Sequence, residues 1–311
     1  MGKVLAVCTS AKKGVQKRDV GSAEFRPNWG IDGDAHAGNW HRQVSLLSAD
    51  KIEAFRAKGA DVVYGDFGEN LVVSGFDFRN LPVGTLLRCG DVLLEMTQIG
   101  KECHSHCEIY KVMGDCIMPR EGVFARVLEP GVISVGDEMV IEERAGRRPY
   151  QAAVITLSDK GAAGERVDKS GPAIAEALEA EGYEVVERLL IPDGMLGLKL
   201  QLTRLCDQRQ LDLILTTGGT GFTPRDQTPE ATLAVADRQA PGIAEAIRAE
   251  SMKYTRRAMF SRGVAVIRGK TLIINLPGSP KAVRESMDVF LRDLPHALDM
   301  LRNEVQDCAR K

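Results

Sequence analysis

The sequence predicts two domains: a mostly β N-terminal half, and an α/β C-terminal half built on a mainly parallel sheet in a three-layer arrangement. Three observations carry this. At 311 residues the chain exceeds the size at which a single core usually stops growing, roughly 250–300 residues. Short apolar runs punctuated by Gly and Asp fill residues 1–143, whereas strand-like and helix-like segments alternate from Tyr150 onward. Between them Glu142-Glu-Arg-Ala-Gly-Arg-Arg-Pro149 breaks into charge, glycine and proline. Residues 144–149 therefore read as a linker, and 150–311 as the second domain.

In the first half, residues 44–47, 70–73, 85–88, 92–96 and 139–142 are short apolar strands. Gly90-Asp91 and Gly136-Asp137 each precede a run as a tight turn. Only 48–58 has helical character, so the fold is expected to be a barrel or folded-over sheet. In the second half 152–157 is a strand, 171–181 a helix with Pro172 near its start, 183–190 a strand and 196–208 a helix. The run 211–215 is a short buried strand. Thr228-Pro229-Glu230 then reads as an N-cap, a first-turn proline and an acidic first turn, opening a helix over 229–237. A helix at 242–254, strands at 264–267 and 271–275 around an Arg-Gly-Lys turn, and one last helix over 281–302 complete the alternation.

Hydrophobic content of 44% with 27% charged residues is ordinary globular composition. A net charge of -2 and a pI near 6.3 argue against a nucleic-acid binder, which would show a basic face. Small phosphorylated ligands stay open. The N-terminus has too short an apolar run for a secretory segment, and no window approaches ~20 unbroken apolar residues. No membrane association and a cytoplasmic location are expected. Seven cysteines suit free thiols. Cys103, Cys107 and Cys116 cluster, while Cys8, Cys89, Cys206 and Cys308 are scattered and read as inert.

The most informative stretch runs from Leu213 to Glu230. After the buried strand, Thr217, Gly218, Gly219, Thr220 and Gly221 let backbone approach an anion closely and aim N–H groups at it. Arg225 adds a cation for phosphate oxygens, and Asp226 a carboxylate able to hold Mg²⁺. In an open α/β sheet, ligands bind beyond the carboxyl ends of the strands. The other predicted strands end in Ser158-Asp159-Lys160, Ile191-Pro-Asp193 and Asn275-Leu-Pro277-Gly278-Ser279-Pro280. Asp159, Asp193 and Asp226 would thus share one rim, the arrangement that metal-assisted phosphoryl or nucleotidyl transfer needs. No Gly-x-x-x-x-Gly-Lys-[Ser/Thr] motif occurs, which disfavours a P-loop enzyme.

Ser158-Asp159, Asp168-Lys-Ser-Gly171, Ile191-Pro-Asp193 and Thr216-Thr-Gly-Gly-Thr-Gly-x-x-x-Arg-Asp226 recur in order with Thr228-Pro-Glu-Ala-Thr232, Pro241-Gly242, Ser261-Arg262 and Leu276-Pro-Gly-Ser-Pro280. Together they resemble the MogA/MoaB family of molybdopterin adenylyltransferases, across nearly all of 150–311. The resemblance implies Mg²⁺-assisted transfer of AMP from ATP to the terminal phosphate of molybdopterin. It implies Asp193 and Asp226 as the functional, metal-organising aspartates. Gly218 to Gly221 would cradle phosphate, and Gly278 and Ser279 would complete the rim. It also implies a trimer through this domain. Related modules bind molybdopterin without adenylylating it, so a non-catalytic carrier or chaperone is the competing class.

In the first half, Glu102-Cys103-His-Ser-His-Cys107 with Cys116 offers zinc-type donors, although no Cys-x₂-Cys pair is present. Buried thiols are the plainer reading. Gly33-Asp34-Ala-His36-Ala-Gly38, Phe67-Gly-Glu-Asn-Leu71, Gly90-Asp91, Cys103, Phe124-Ala-Arg126-Val-Leu, Gly131 and Gly136-Asp137 resemble a compact MOSC domain. That resemblance implies a β-barrel that handles molybdenum cofactor or sulfur, with Cys103 as sulfur carrier or molybdenum ligand. Thiolate softness suits either task. Lys101, His104, His106 and Arg126 are candidates for its electropositive surroundings, and His36 with Asp34 for the pocket mouth. A molybdate-insertion protein or a cofactor-accepting enzyme would be the partner.

Overall fold

The computed structural model describes residues 1–103 and 108–303. Its backbone divides into two compact units, Met1–Arg148 and Pro149–Lys311. Arg144, within the expected linker, is tied into the first unit, where its guanidinium donates to buried Glu95 at 2.5 Å and to the Gly84 carbonyl at 3.2 Å.

The first unit runs β1 (Gly2–Thr9), β2 (Arg18–Asp19), β3 (Ser22–Arg26), β4 (Gly30–Ile31), β5 (Val44–Ser48), α1 (Ala49–Arg56), β6 (Leu71–Ser74), β7 (Leu86–Cys89) and β8 (Val92–Ile99). It continues with α2 (Glu108–Met113), α3 (Met118–Glu121), β9 (Val123–Glu129), β10 (Gly131–Ser134) and β11 (Glu138–Glu142). Among the described residues the main sheet is ordered β11-β7-β8-β9-β5-β6-β1-β2, and a β11–β1 pairing closes it into a barrel. Only β5–β6 is parallel. Alternation sorts side chains to two sides. Leu46 faces the inner core with Val44, Leu94 and Met96, while Leu47 packs outside with Ile52 and Phe55 of α1. A register shift between Val4 and Ala6 breaks the period of two, so Val4 and Val7 both face inward. Besides α1, the expected helix, the structure holds α2 and α3; at six and four residues they are too short for periodicity to register.

The second unit runs β12 (Gln151–Leu157), α4 (Asp159–Ala162), α5 (Ser170–Ala180), β13 (Glu184–Ile191), α6 (Met195–Thr203), β14 (Leu213–Thr217) and α7 (Thr228–Leu233). Then come β15 (Arg238–Gln239), α8 (Pro241–Ser251), β16 (Ala265–Arg268), β17 (Thr271–Leu276), α9 (Pro280–Phe290) and α10 (Leu294–Arg302). The sheet order is β13-β12-β14-β17-β16-β15. The three pairings joining β13, β12, β14 and β17 are parallel, and β16 and β15 add antiparallel. Val154, Leu213 and Leu215 pack with α5, α9 and α10 on one face. Ala153, Ile155 and Ile214 pack with α6 and α7 on the other. Such two-sided cover explains why β12 and β14 are buried along their whole length.

Two helix expectations are corrected. The single helix over 281–302 is broken into α9 and α10, because Pro295 has no N–H to donate and its ring would collide with the preceding turn. The helix over 196–208 is α6 only to Thr203, and residues Arg204–Gln208 widen into a π turn.

Candidate functional site

The site stands at the carboxyl ends of β12 and β14. There a cavity of about 710 Å³ is lined by Ser158, Asp193, Thr217, Gly218, Gly219, Asp226, Gly278 and Ser279, among others. That volume suits a nucleotide-sized ligand. Gly218 and Gly219 have φ of +98° and +63°. A Cβ on Gly218 would lie 2.4 Å from the Leu157 carbonyl, and one on Gly219 2.3 Å from the Thr228 hydroxyl. Only glycine fits a left-handed loop this close to its neighbours.

Hydroxyls pin the loop. Thr217 Oγ1 donates to the Pro277 carbonyl at 2.6 Å, and Thr228 Oγ1 to the Gly218 carbonyl at 2.9 Å. Thr228 was expected to cap α7; it is instead the first residue of the helix, and its hydroxyl serves the loop. Ser170 Oγ donates to the Gly278 carbonyl at 2.9 Å, drawing the start of α5 to the far rim. Ser279 caps α9, accepting from Ala282 N at 3.2 Å, and Ser158 caps α4, accepting from Gly161 N at 3.0 Å. Arg262 clamps the loop's far end, donating to the Gly221 carbonyl at 2.6 Å and also to the Asp226 carbonyl and Glu230.

The two aspartates both line the cavity beside this loop. Asp193 Oδ1 lies 3.5 Å from the position a Gly219 Cβ would take, and Asp226 Oδ2 2.9 Å from that of Gly221. Asp226 Oδ2 accepts from Thr223 N at 2.9 Å and from its hydroxyl at 2.7 Å. Asp193 and Asp159 accept reciprocally from each other's backbone N–H at 3.1 Å. Among the described residues no group of three or more His, Cys, Asp and Glu side chains is disposed to hold a metal. A pair of carboxylates is what Mg²⁺ takes when waters and phosphate oxygens fill its remaining positions, which makes Asp193 and Asp226 the candidate ligands for that ion.

Other expected residues are placed differently. Arg225 does not line the cavity; its guanidinium pairs with Asp159 at 2.5 Å and reaches the Asp193 carbonyl at 3.3 Å. In this arrangement its nearest charged partner is the Asp159 carboxylate. Asp159 likewise lies outside the lining. Thr220, Gly221 and Pro277 line a separate apolar cavity of about 300 Å³ with Phe260 and Ser261. Conversely, Arg166, Asp168, Lys169 and Ser170 line the main cavity. The motif Asp168-Lys-Ser-Gly171 signalled Asp168, Lys169 and Ser170, whereas Arg166, two residues before it, carried no signal.

In the first unit Asp34 is buried and accepts from Lys17 Nζ at 3.0 and 3.1 Å, and from Asn70 Nδ2 at 3.2 Å. His36 Nδ1 lies 3.4 Å from Asp34. Burial would raise the Asp34 pKa, but the His36 hydrogen bond and the Lys17 charge hold it well below the usual carboxylate range. Burial lowers that of Lys17. Arg126 on β9 pairs with buried Glu95 at 2.6 Å. Cys103 is an exposed free thiol, and Cys116 is buried. His104, His106, Cys107 and Cys308 lie outside the described residues. Burial pushes the thiols of Cys8, Cys89 and Cys206 up to about 12, as suits inert cysteines.

Comparison with known proteins places these units. A family model described as "Probable molybdopterin binding domain" matches residues 131–296, and one described as "MOSC domain" matches residues 32–140. Their overlap, 131–140, falls in the first unit on β10 and the start of β11. A molybdopterin adenylyltransferase of Helicobacter pylori is 41% identical over 157 residues, 48% of this chain and 85% of that protein. That of Escherichia coli K12 is 43% identical over 138 residues, 43% of this chain and 70% of that protein. The crystal structure of the molybdopterin biosynthesis enzyme MoaB from Thermus thermophilus is 48% identical, covers 50% of this chain and 97% of its own, and has a TM-score of 0.48.

Proposed function

The chain belongs to the molybdopterin-binding-domain family through residues 131–296 and carries a MOSC domain through residues 32–140, and from that membership we propose that its second unit is a molybdopterin adenylyltransferase of molybdenum cofactor biosynthesis. The observation that carries this is that Asp193 and Asp226 line one cavity with a left-handed glycine loop. In this reading the unit is a mainly parallel, three-layer enzyme domain acting in the cytoplasm, as a homotrimer, on molybdopterin and ATP.

The terminal phosphate of molybdopterin attacks the α-phosphorus of ATP, and pyrophosphate leaves. Asp193 and Asp226 would hold Mg²⁺, which when bound neutralises charge on phosphate oxygens. The loop from Gly218 to Gly221 presents backbone N–H groups to phosphate, while Thr217, Thr228 and Arg262 keep it from relaxing. Arg225 acts indirectly, its bridge from Asp159 to the Asp193 carbonyl steadying the turn that carries Asp193. Gly278 and Ser279 close the opposite rim. The MOSC unit then handles the cofactor or its sulfur through Cys103, with His36 and Arg126 in support, before delivery to a molybdate-insertion protein or an accepting enzyme. An exposed thiol fits a soft metal or a sulfur atom.

The whole chain, given molybdopterin, ATP and Mg²⁺, is expected to yield pyrophosphate and adenylylated molybdopterin. Asp226→Ala is expected to lower kcat by roughly 10²-fold or more. Unchanged turnover in that variant removes Asp226 from the mechanism, and binding without turnover in the natural chain makes the protein a carrier.

A further inference from the structure

AMP transfer brings two polyanions into one cavity, and the glycine loop with two aspartates cannot by itself balance both. The cations nearest the loop are already engaged: Arg225 by Asp159, and Arg262 by Glu230 and two carbonyls. Two other cations line the main cavity, Arg166 and Lys169, on the segment leading into α5. Beside it a compartment of about 360 Å³ shares Thr156, Asp168 and Leu190 as a common wall, and its cation is Arg188 of β13. Among the described residues the side chains of Arg166, Lys169 and Arg188 make no hydrogen bond or ion pair. Asp168, the carboxylate between them, is occupied, accepting from the Thr156 hydroxyl at 2.8 Å and from Ser170 N and Gly171 N at 3.0 Å. Three exposed, unpaired cations around two adjoining compartments make a positively charged patch open to phosphate.

We infer that Arg166, Lys169 and Arg188 form a polyphosphate subsite on the β13 side of the cavity, holding the β- and γ-phosphates of the nucleotide and then the pyrophosphate they become. This rests on the adenylyltransferase reading. As the pterin phosphate oxygen bonds to the α-phosphorus, the bond from that phosphorus to the bridging oxygen breaks, and the electron pair departs on pyrophosphate. No oxidant or reductant takes part. The subsite stabilises the charge that accumulates on the leaving group and leaves the glycine loop to the reacting phosphates.

The test uses the whole chain and inorganic pyrophosphate as probe, by calorimetric binding and by product inhibition of AMP transfer. Lys169→Ala and Arg188→Ala are each expected to weaken pyrophosphate binding roughly tenfold, the loss of one charge-assisted phosphate contact. They should raise KM for ATP in parallel and leave KM for molybdopterin unchanged. Arg188→Lys should recover part of the affinity. Pyrophosphate affinity indifferent to both residues overturns the subsite, and so does a rise confined to the molybdopterin KM. Because calorimetry needs no turnover, a chain that transfers no AMP yet binds pyrophosphate through Arg188 sinks the adenylyltransferase reading and supports the subsite. Transfer with unaltered pyrophosphate affinity does the reverse.

Discussion

Glu69 of the Phe67-Gly-Glu-Asn-Leu motif is fully buried, with Oε1 accepting from Gly65 N at 2.7 Å and Oε2 without a hydrogen-bond partner. Desolvation pushes its pKa up to about 7 from an ordinary 4.5. Below about pH 4.5 both folded and unfolded chains hold the proton. Between 4.5 and 7 the unfolded chain releases it while the folded chain keeps it, so stability falls with rising pH through this window and levels off above it. Glu69→Gln is expected to remove this slope, leaving the variant the more stable chain at pH 7.5 by an amount on the order of 3 kcal/mol. Thermal melts of both chains from pH 4 to 8 check this; parallel curves would refute it. At this scale the motifs were legible because residue types carry chemistry, as with Asp193, Asp226 and the glycines. The pairing of Arg225 with Asp159 was not legible, because the two lie sixty-six positions apart and side-chain partners at that range are invisible along the chain.

Among the elements, the loop joining β14 to α7 is tightly constrained. Gly218→Ala would place a methyl 2.4 Å from a backbone carbonyl at a φ of +98°. The expected outcome is a loss of more than ~1 kcal/mol of stability and a steep loss of AMP transfer, since the loop must move to accept it. Chemical denaturation and turnover measure the two effects separately, and an unaltered variant would show the loop to be pliant. β8, β12 and β14 announce themselves as buried apolar runs, whereas β1 and β9, of similar length, were not among the expected strands. The two-residue strands β2, β4 and β15 were not, because they exist only through their pairing partners. Pro295 marked the break between α9 and α10 in plain sight, but the strong apolar periodicity on either side masked it.

The whole molecule has cores confined to each unit, one pair inside and outside the barrel and another on the two faces of the α/β sheet. Residues 149–311 expressed alone are therefore expected to fold and to transfer AMP within roughly threefold of the whole chain, as a unit with its own core can. A fragment that melts without cooperativity, or a fold-change far beyond this, would show that the second unit depends on the first. No helix of the described residues is long and apolar enough to cross a membrane.

By itself the sequence determined the change of architecture near residue 149, the strand-loop-helix order around Gly218 to Gly221, and the residue types gathered on one rim. These are local properties, set by apolar periodicity, glycine's freedom at positive φ and the chemistry of individual side chains. Only the tertiary structure decided which charges remain available. It engaged Arg225 and Arg262, left Arg166 and Lys169 lining the cavity and Arg188 the compartment beside it, and buried Glu69 with half its carboxylate unpaired. Electrostatic strength depends on distance and desolvation, and both arise only when segments far apart in the chain are packed together.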